Sequence, residues 1–242
     1  MNAIATNALT RRFGNRTAVD ALDLRIGEGE LFALLGVNGA GKTTTIKMLC
    51  CLLPPTSGDA LVLGKSIVRE PLEVKKAHNI SPQETAVAPN LSVEENLVFM
   101  ARLYGTEKAG AERRAQEMLL KFALAERAKD RAKTLSGGLA RRLSIAMALI
   151  TEPKVLFLDE PTLGLDVRAR RELWRIIEGL KGKITILLTT HYLEEAEALS
   201  DRIGIMHEGR LRALGTPEEI IALSGRKNIE DAFLALTDAE VE

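Results

Sequence analysis

The 242-residue chain has almost no cysteine, no excess of either charge and no long apolar run, and each shortage narrows what it can be. Its two cysteines, Cys50 and Cys51, are adjacent inside an apolar stretch. Neighbouring cysteines are not easily bridged and match no zinc-ligand spacing, so they read as small buried hydrophobes of a reducing compartment. The 33 basic and 33 acidic residues cancel, with a pI near 6.9. A domain that tracks phosphate backbones carries a basic surplus, so nucleic acid is not an expected partner. No apolar run reaches the roughly 18 residues that span a bilayer. Met1–Arg12 lacks the apolar core and cleavage site of a signal peptide. The expectation is a soluble, cytoplasmic protein that serves a membrane, if at all, by docking. Sustained heptads, internal repeats and low-complexity linkers are also missing, which leaves one globular unit with subdomains.

What is present, 46% hydrophobic and 27% charged residues, suffices for an α/β core with an inserted subdomain. Leu31–Leu35, Val155–Leu158 and Ile184–Thr189 are short apolar runs without alternation, the pattern of parallel strands covered on both faces. Between the last two, a helix of about four turns is predicted from Asp166 to near Lys181, with Gly182 as its stop. Its Leu173, Ile176, Ile177 and Leu180 share a face, which makes a strand–helix–strand crossover. Residues 1–30 and 58–70 read as shorter alternating strands of an antiparallel layer. From Ser92, which opens a capping-box pattern with Glu95, to about Thr151, the chain is helical. A last helix starts at Thr216–Pro217. The fold expected is an α/β core with a mainly parallel sheet, and the glycine-rich stretch Gly36–Thr43 after a strand resembles that of the P-loop, RecA-like proteins. Residues 1–90 and 152–242 form the core and antiparallel layer, and residues 91–151 an inserted helical subdomain.

Gly36-Val37-Asn38-Gly39-Ala40-Gly41-Lys42-Thr43 matches the Walker A pattern at every fixed position, between a strand and a helix as the motif requires. Glycines let successive backbone N–H groups curl around phosphates, and the helix N-terminus adds its positive end. Lys42 is expected on the β- and γ-phosphates and the Thr43 hydroxyl on Mg²⁺, with Thr44 completing the ATP-binding stretch. A glycine-rich turn with an incidental lysine would not need the complete pattern. Val155-Leu156-Phe157-Leu158-Asp159-Glu160 is an apolar strand ending in two carboxylates. Asp159 is placed to hold Mg²⁺ and Glu160 to polarise an attacking water as general base. In isolation the two acids would also suit a cap for the next helix.

Leu135-Ser136-Gly137-Gly138 precedes a predicted helix about 20 residues ahead of that strand. Alone it would be a turn and helix cap. In this setting it resembles the signature motif of the ABC ATPases, and four further elements agree in order. Gln83, in Ser81-Pro82-Gln83-Glu84, resembles the Q-loop glutamine that senses Mg²⁺ and water. Pro161–Asp166 resembles the D-loop, His191 the switch histidine, and Phe13 the aromatic that stacks on adenine. The resemblance covers Ala8 to about Leu236. It implies an ATPase that pairs head to tail, as a homodimer or heterodimer, with Ser136 and Gly138 facing ATP held by the other subunit and Asp166 near the interface. It further implies a membrane permease as partner, ATP and Mg²⁺ as cofactors, and a location on the inner face of the cell membrane.

The stretches Thr189–Glu197, Gly209–Pro217 and Glu230–Leu236 are similar to ATPases of bacterial drug-resistance-type exporters. An ABC importer ATPase is the nearer alternative, and a soluble ABC protein of ribosomes or DNA a more distant one. A small-molecule kinase would need neither signature nor switch histidine. Two departures stand out: Leu139 replaces the glutamine common after the signature glycines, and Leu163 the common D-loop serine. Phe13 in place of tyrosine keeps the stacking surface.

Overall fold

The computed structural model describes residues 1–237, so the last five residues of the expected 152–242 segment lie outside the described residues. The chain opens with β1 (Asn2–Phe13), β2 (Arg16–Leu22) and β3 (Arg25–Gly27), then enters β4 (Leu31–Leu35) and α1 (Lys42–Leu49). β5 (Ser57–Val62) and β6 (Lys65–Ser66) return to β1. Together β1, β2, β3, β5 and β6 form the expected antiparallel layer. α2 (Pro71–Ala77) leads into β7 (His78–Ser81).

Next come α3 (Val93–Leu103), α4 (Lys108–Lys121), two single 3₁₀ turns and α5 (Gly137–Leu149). The α3 start is the capping box read from sequence. Glu95 N–H donates to Ser92 Oγ at 3.1 Å, and Ser92 N–H donates to Glu95 Oε2 at 2.7 Å. The remainder alternates through β8 (Val155–Asp159), α6 (Val167–Glu178), β9 (Thr185–Thr190) and α7 (Leu193–Leu199). It ends in β10 (Arg202–His207), β11 (Arg210–Gly215), α8 (Pro217–Ser224) and α9 (Ile229–Thr237).

The central sheet runs β11-β10-β4-β9-β8-β7, parallel throughout except for β11 at one edge. Every residue of β4, β8 and β9 is buried. Alternate side chains enter two different cores, which explains the unbroken apolar runs. Leu31, Ala33, Leu35, Leu156, Leu158, Ile186 and Leu188 pack with α3, α5 and α6. Phe32, Leu34, Val155, Phe157 and Leu187 pack with α1 and the antiparallel layer. Neither face of the sheet has polar positions to spare, so no alternation is left for the sequence to show.

Three local features differ from the sequence reading. β7 was not expected, because His78-Asn79-Ile80-Ser81 has no apolar run; it is an edge strand whose polar groups find partners. The His78 Nδ1–H donates to Val74 O at 2.7 Å and its ring stands edge-on to Phe157. Burial pushes its pKa down. Asn79 donates to Thr151 Oγ1 at 3.1 Å. α6 ends at Glu178, a turn earlier than expected. Gly182 instead takes φ +75° in the following turn, where its N–H donates to Gly29 O at 3.1 Å. Cys50 is buried as expected, but Cys51 is only half-buried, with its Sγ 3.7 Å from Ile67 O.

Phe157 is fully buried in β8 among the side chains of the second core. Phe157→Ala is expected to lower the unfolding free energy by about 3–5 kcal/mol, measured by urea denaturation.

Candidate active site

In a parallel sheet, loops at the carboxyl ends of neighbouring strands converge, and that edge collects ligands. Here four such ends contribute: Leu35 pairs with Thr190, Asp159 with Thr189, and Ser81 with Leu158. The Gly36–Thr43 loop, Glu160, His191 and Gln83 therefore leave adjacent strands on one side. Between them opens a cleft of about 560 Å³, lined by Phe13, Arg16, Ala18, Asn38, Gly39, Gly41, Lys42, Thr43, Thr44, Gln83, Glu160, Leu163 and His191. That volume is in the range of small-molecule sites.

The glycine-rich loop is tightly held. Gly41 caps α1 at φ +108°, and a Cβ there would lie 2.3 Å from Ala18 O. A Cβ on Gly36 would lie 2.3 Å from Met206 O. These two glycines are thus required by backbone packing as well as by phosphate access, a reason the motif alone does not disclose. Lys42 is 5% exposed, and its Nζ donates to Gly36 O at 2.7 Å and Val37 O at 3.2 Å. Gly36, Val37 and Ala40 do not line the cleft; their part is in the backbone of the loop.

Glu160 is the centre of the charged network. Its Oε1 lies 3.2 Å from Lys42 Nζ and its Oε2 2.7 Å from His191 Nδ1. Its backbone has φ +50°, sparsely populated for a side chain of this kind. The strain is held by two bonds from the Glu160 N–H, to Thr189 O and Thr189 Oγ1, both at 3.1 Å. Asp159, 3% exposed, lies just behind: its Oδ1 accepts from Thr43 Oγ1 at 3.0 Å and from Thr189 Oγ1 at 2.6 Å. Thr189, unassigned by sequence reasoning, thereby holds the Asp159 carboxylate and the Glu160 backbone N–H; its only sequence signal was its place at a strand end.

Magnesium takes hard oxygen ligands, commonly one or two carboxylates beside phosphates, and keeps some of its water. A hydroxyl and a carboxylate in hydrogen-bond contact, Thr43 and Asp159, fit that donor set. No cluster of three or more His, Cys, Asp or Glu side chains that could hold a metal occurs among the described residues.

Phe13 ends β1, is 47% exposed, and lines the cleft with the Arg11 guanidinium 4.6 Å from its ring centroid. Leu135–Gly138 do not line the cleft. They begin α5, where Ser136 Oγ accepts from Leu139 N–H at 3.5 Å. Asp166 likewise caps α6, accepting from Ala169 N–H at 2.8 Å. Neither capping residue lines the cleft, although Leu163 of the Pro161–Asp166 stretch does.

Behind the cleft, Glu195 of α7 is fully buried, with Trp174 Nε1–H donating to its Oε1 at 3.0 Å. Burial raises its pKa, and the Glu160 charge adds to this; the nearby hydroxyls of Thr190 and Thr162 and the Trp174 hydrogen bond oppose it. No sequence signal separated it from the adjacent solvent-facing Glu194.

A phosphate-binding loop from one strand end, a carboxylate pair from the next but one and a cationic lysine between them define a P-loop nucleoside triphosphatase. The sequence profile described as "ABC transporter" matches residues 19–163. The daunorubicin/doxorubicin resistance ATP-binding protein DrrA of Streptomyces peucetius is 43% identical over 98% of this chain and 72% of its own length. The linearmycin resistance ATP-binding protein LnrL of Bacillus subtilis (strain 168) is 40% identical over 91% of this chain and 71% of its own length. A solved ATP-binding subunit of an ABC transporter superposes with a TM-score of 0.87 at 30% identity, covering 97% of this chain and 99% of that one. The chain belongs to the ABC transporter family, as an ATP-binding and ATP-hydrolysing subunit. No helix among the described residues is long and apolar enough to cross a membrane.

A carboxyl whose folded-state pKa is raised binds its proton more tightly in the folded state. Its contribution to stability is present below the unfolded value and lost as pH rises through the folded one. Glu195→Gln, which keeps shape without charge, is therefore expected to lose less stability than wild type between pH 5 and pH 8, measured by denaturant unfolding at both. An identical loss would show that Glu195 ionises as it does in the unfolded chain.

Proposed function

We propose that this subunit is the motor of an exporter of the drug-resistance type. Two ATPase subunits would pair head to tail beneath a membrane permease. The observation that carries the catalytic part is the Glu160 carboxylate, held between Lys42 and His191 at the edge of a cleft behind the phosphate loop. A water aligned by Glu160 attacks the γ-phosphorus of ATP and gives its proton to that carboxylate, while the bond from phosphorus to the β–γ bridging oxygen breaks and ADP leaves. Lys42 and His191 face the charge that develops on the transferred group. Thr43 and Asp159, with Gln83, would hold Mg²⁺, which when bound offsets negative charge on the phosphates. Phe13 offers an aromatic face to adenine.

Ser136, Gly137 and Gly138 serve the ATP of the paired subunit. The support is positional: they form a helix N-terminus, an anion-binding end, that stands outside this chain's own cleft. Residues 91–151 are taken as the helical subdomain that moves when the pair closes, with residues 1–90 and 152–242 as the core. Leu163, 36% exposed on the cleft wall, is available to the pair interface. The export direction is supported by the drug-resistance relatives. An importer motor is the second reading, favoured by nothing in the cleft itself.

Glu160→Gln is expected to keep ATP affinity and to lower kcat by at least about 100-fold, measured as steady-state phosphate release; wild-type turnover would remove Glu160 as general base. Ser136→Arg is expected to leave ATP binding unchanged and abolish turnover, and unchanged turnover would exclude a shared site. Co-purification of the Glu160→Gln protein from solubilised membranes of its own cells is expected to retain a multi-span permease and no solute-binding protein. Recovery of a solute-binding protein would make the system an importer.

A further inference from the structure

Arg141 lies on the signature helix α5 and is 5% exposed. It makes no ion pair among the described residues. Its two terminal nitrogens instead donate to consecutive carbonyls of the loop after β7: Nη1 to Pro82 O at 2.6 Å, and Nη2 to Gln83 O. Almost one turn along the same helix, Ser144 Oγ and Ser81 Oγ are 2.9 Å apart. Ser81, Pro82 and Gln83 are thus fastened one after another to a single side of α5. The next residue, Arg142, bonds Glu172 of α6.

Burying a cation without a carboxylate partner is costly, and an apolar side chain would pack α5 against β7 at less expense. Burial does pull the Arg141 pKa below its ordinary range, partly offset by Asp159. What the guanidinium supplies, and no apolar side chain can, is a planar fork that matches two successive carbonyls and fixes their direction. The direction of the Gln83 carbonyl constrains where the Gln83 side chain points, and that side chain lines the nucleotide cleft.

We propose that Arg141 is a positioning residue that makes the Gln83 loop and the signature end of α5 one mechanical unit. A displacement of Gln83 on nucleotide binding is carried by the guanidinium to Ser136, about a turn and a half away along a continuous helix. The loop that reads one site is thereby tied, within one chain, to the motif that completes the other. This rests on the reading of Gln83 as a residue of hydrolysis.

The test is a double-mutant cycle on the full-length chain, with kcat for ATP hydrolysis and affinity for a fluorescent ATP analogue measured for wild type, Gln83→Ala, Arg141→Lys and the double variant. Lysine keeps the charge but not the fork. Arg141→Lys is expected to lower kcat about tenfold with nucleotide affinity unchanged. In the Gln83→Ala background it is expected to lower kcat less than about twofold. Multiplicative losses, or wild-type kcat for Arg141→Lys, would overturn the proposal while leaving Gln83 in place. Wild-type kcat for Gln83→Ala would instead remove the reading of Gln83 and the proposal with it. Hydrogen exchange on the unsubstituted protein supplies an independent measurement that does not depend on a variant folding. Amides of residues 83–88 and 136–140 are expected to change protection together on ATP addition, and a change confined to one segment would overturn the link.

Discussion

Everything the site does depends on β9 lying between β4 and β8 in parallel register. Leu34 and Asp159 both pair with Thr189 from opposite sides, so the end of the phosphate-loop strand and the end of the carboxylate strand come level with a single threonine. A slip of one residue in either pairing would turn side chains to the opposite core, and both cores are filled with apolar groups. The hydrophobic effect therefore sets the register, and the register places Lys42, Glu160 and His191 within one charged network. Catalytic geometry is here a consequence of core packing.

The same register concentrates strain where chemistry needs it. Glu160 turns out of β8 at positive φ, and the backbone and hydroxyl oxygens of Thr189 take its N–H. Lys42, at the start of α1, and His191, just past the end of β9, then approach its two carboxylate oxygens. Behind this network the polar contacts continue: Glu195 reaches Trp174 on α6, and Arg142 reaches Glu172 on the same helix. α6 is capped by Asp166 at the end of the loop that follows Glu160. Elements that touch the cleft and elements that stand outside it are thus joined by polar contacts, which are directional where apolar packing is not.

Much of the architecture was legible because it depends on short stretches of chain. The unalternating runs of β4, β8 and β9, the capping box at Ser92, the helix start at Thr216–Pro217 and the amphipathic face of α6 follow from neighbours in sequence. β7 escaped because an edge strand can carry polar residues when their partners, Val74 and Thr151, happen to be near. The end of α6 was misplaced because two glycines compete for it, and a contact with Gly29, far away in sequence, draws Gly182 into the turn beyond. The setting of Cys51 was hidden for a similar reason, since its neighbour Ile67 lies 16 residues on, in the loop after β6.

The sequence by itself determined the chemical groups: the phosphate loop from Gly36 to Thr43, the pair Asp159 and Glu160, and the ordered set that marks the ABC transporter family. Each is a contiguous motif or an order along the chain, and both are written in one dimension. Only the tertiary structure decided that Thr189 holds the Asp159 carboxylate and the Glu160 backbone, that Gly36 and Gly41 are demanded by the oxygens of Met206 and Ala18, and that Arg141 holds the carbonyls of Pro82 and Gln83. Those partners lie on separate elements, and they meet only where the sheet and its covering helices, driven by burial of both cores, leave no other place for them.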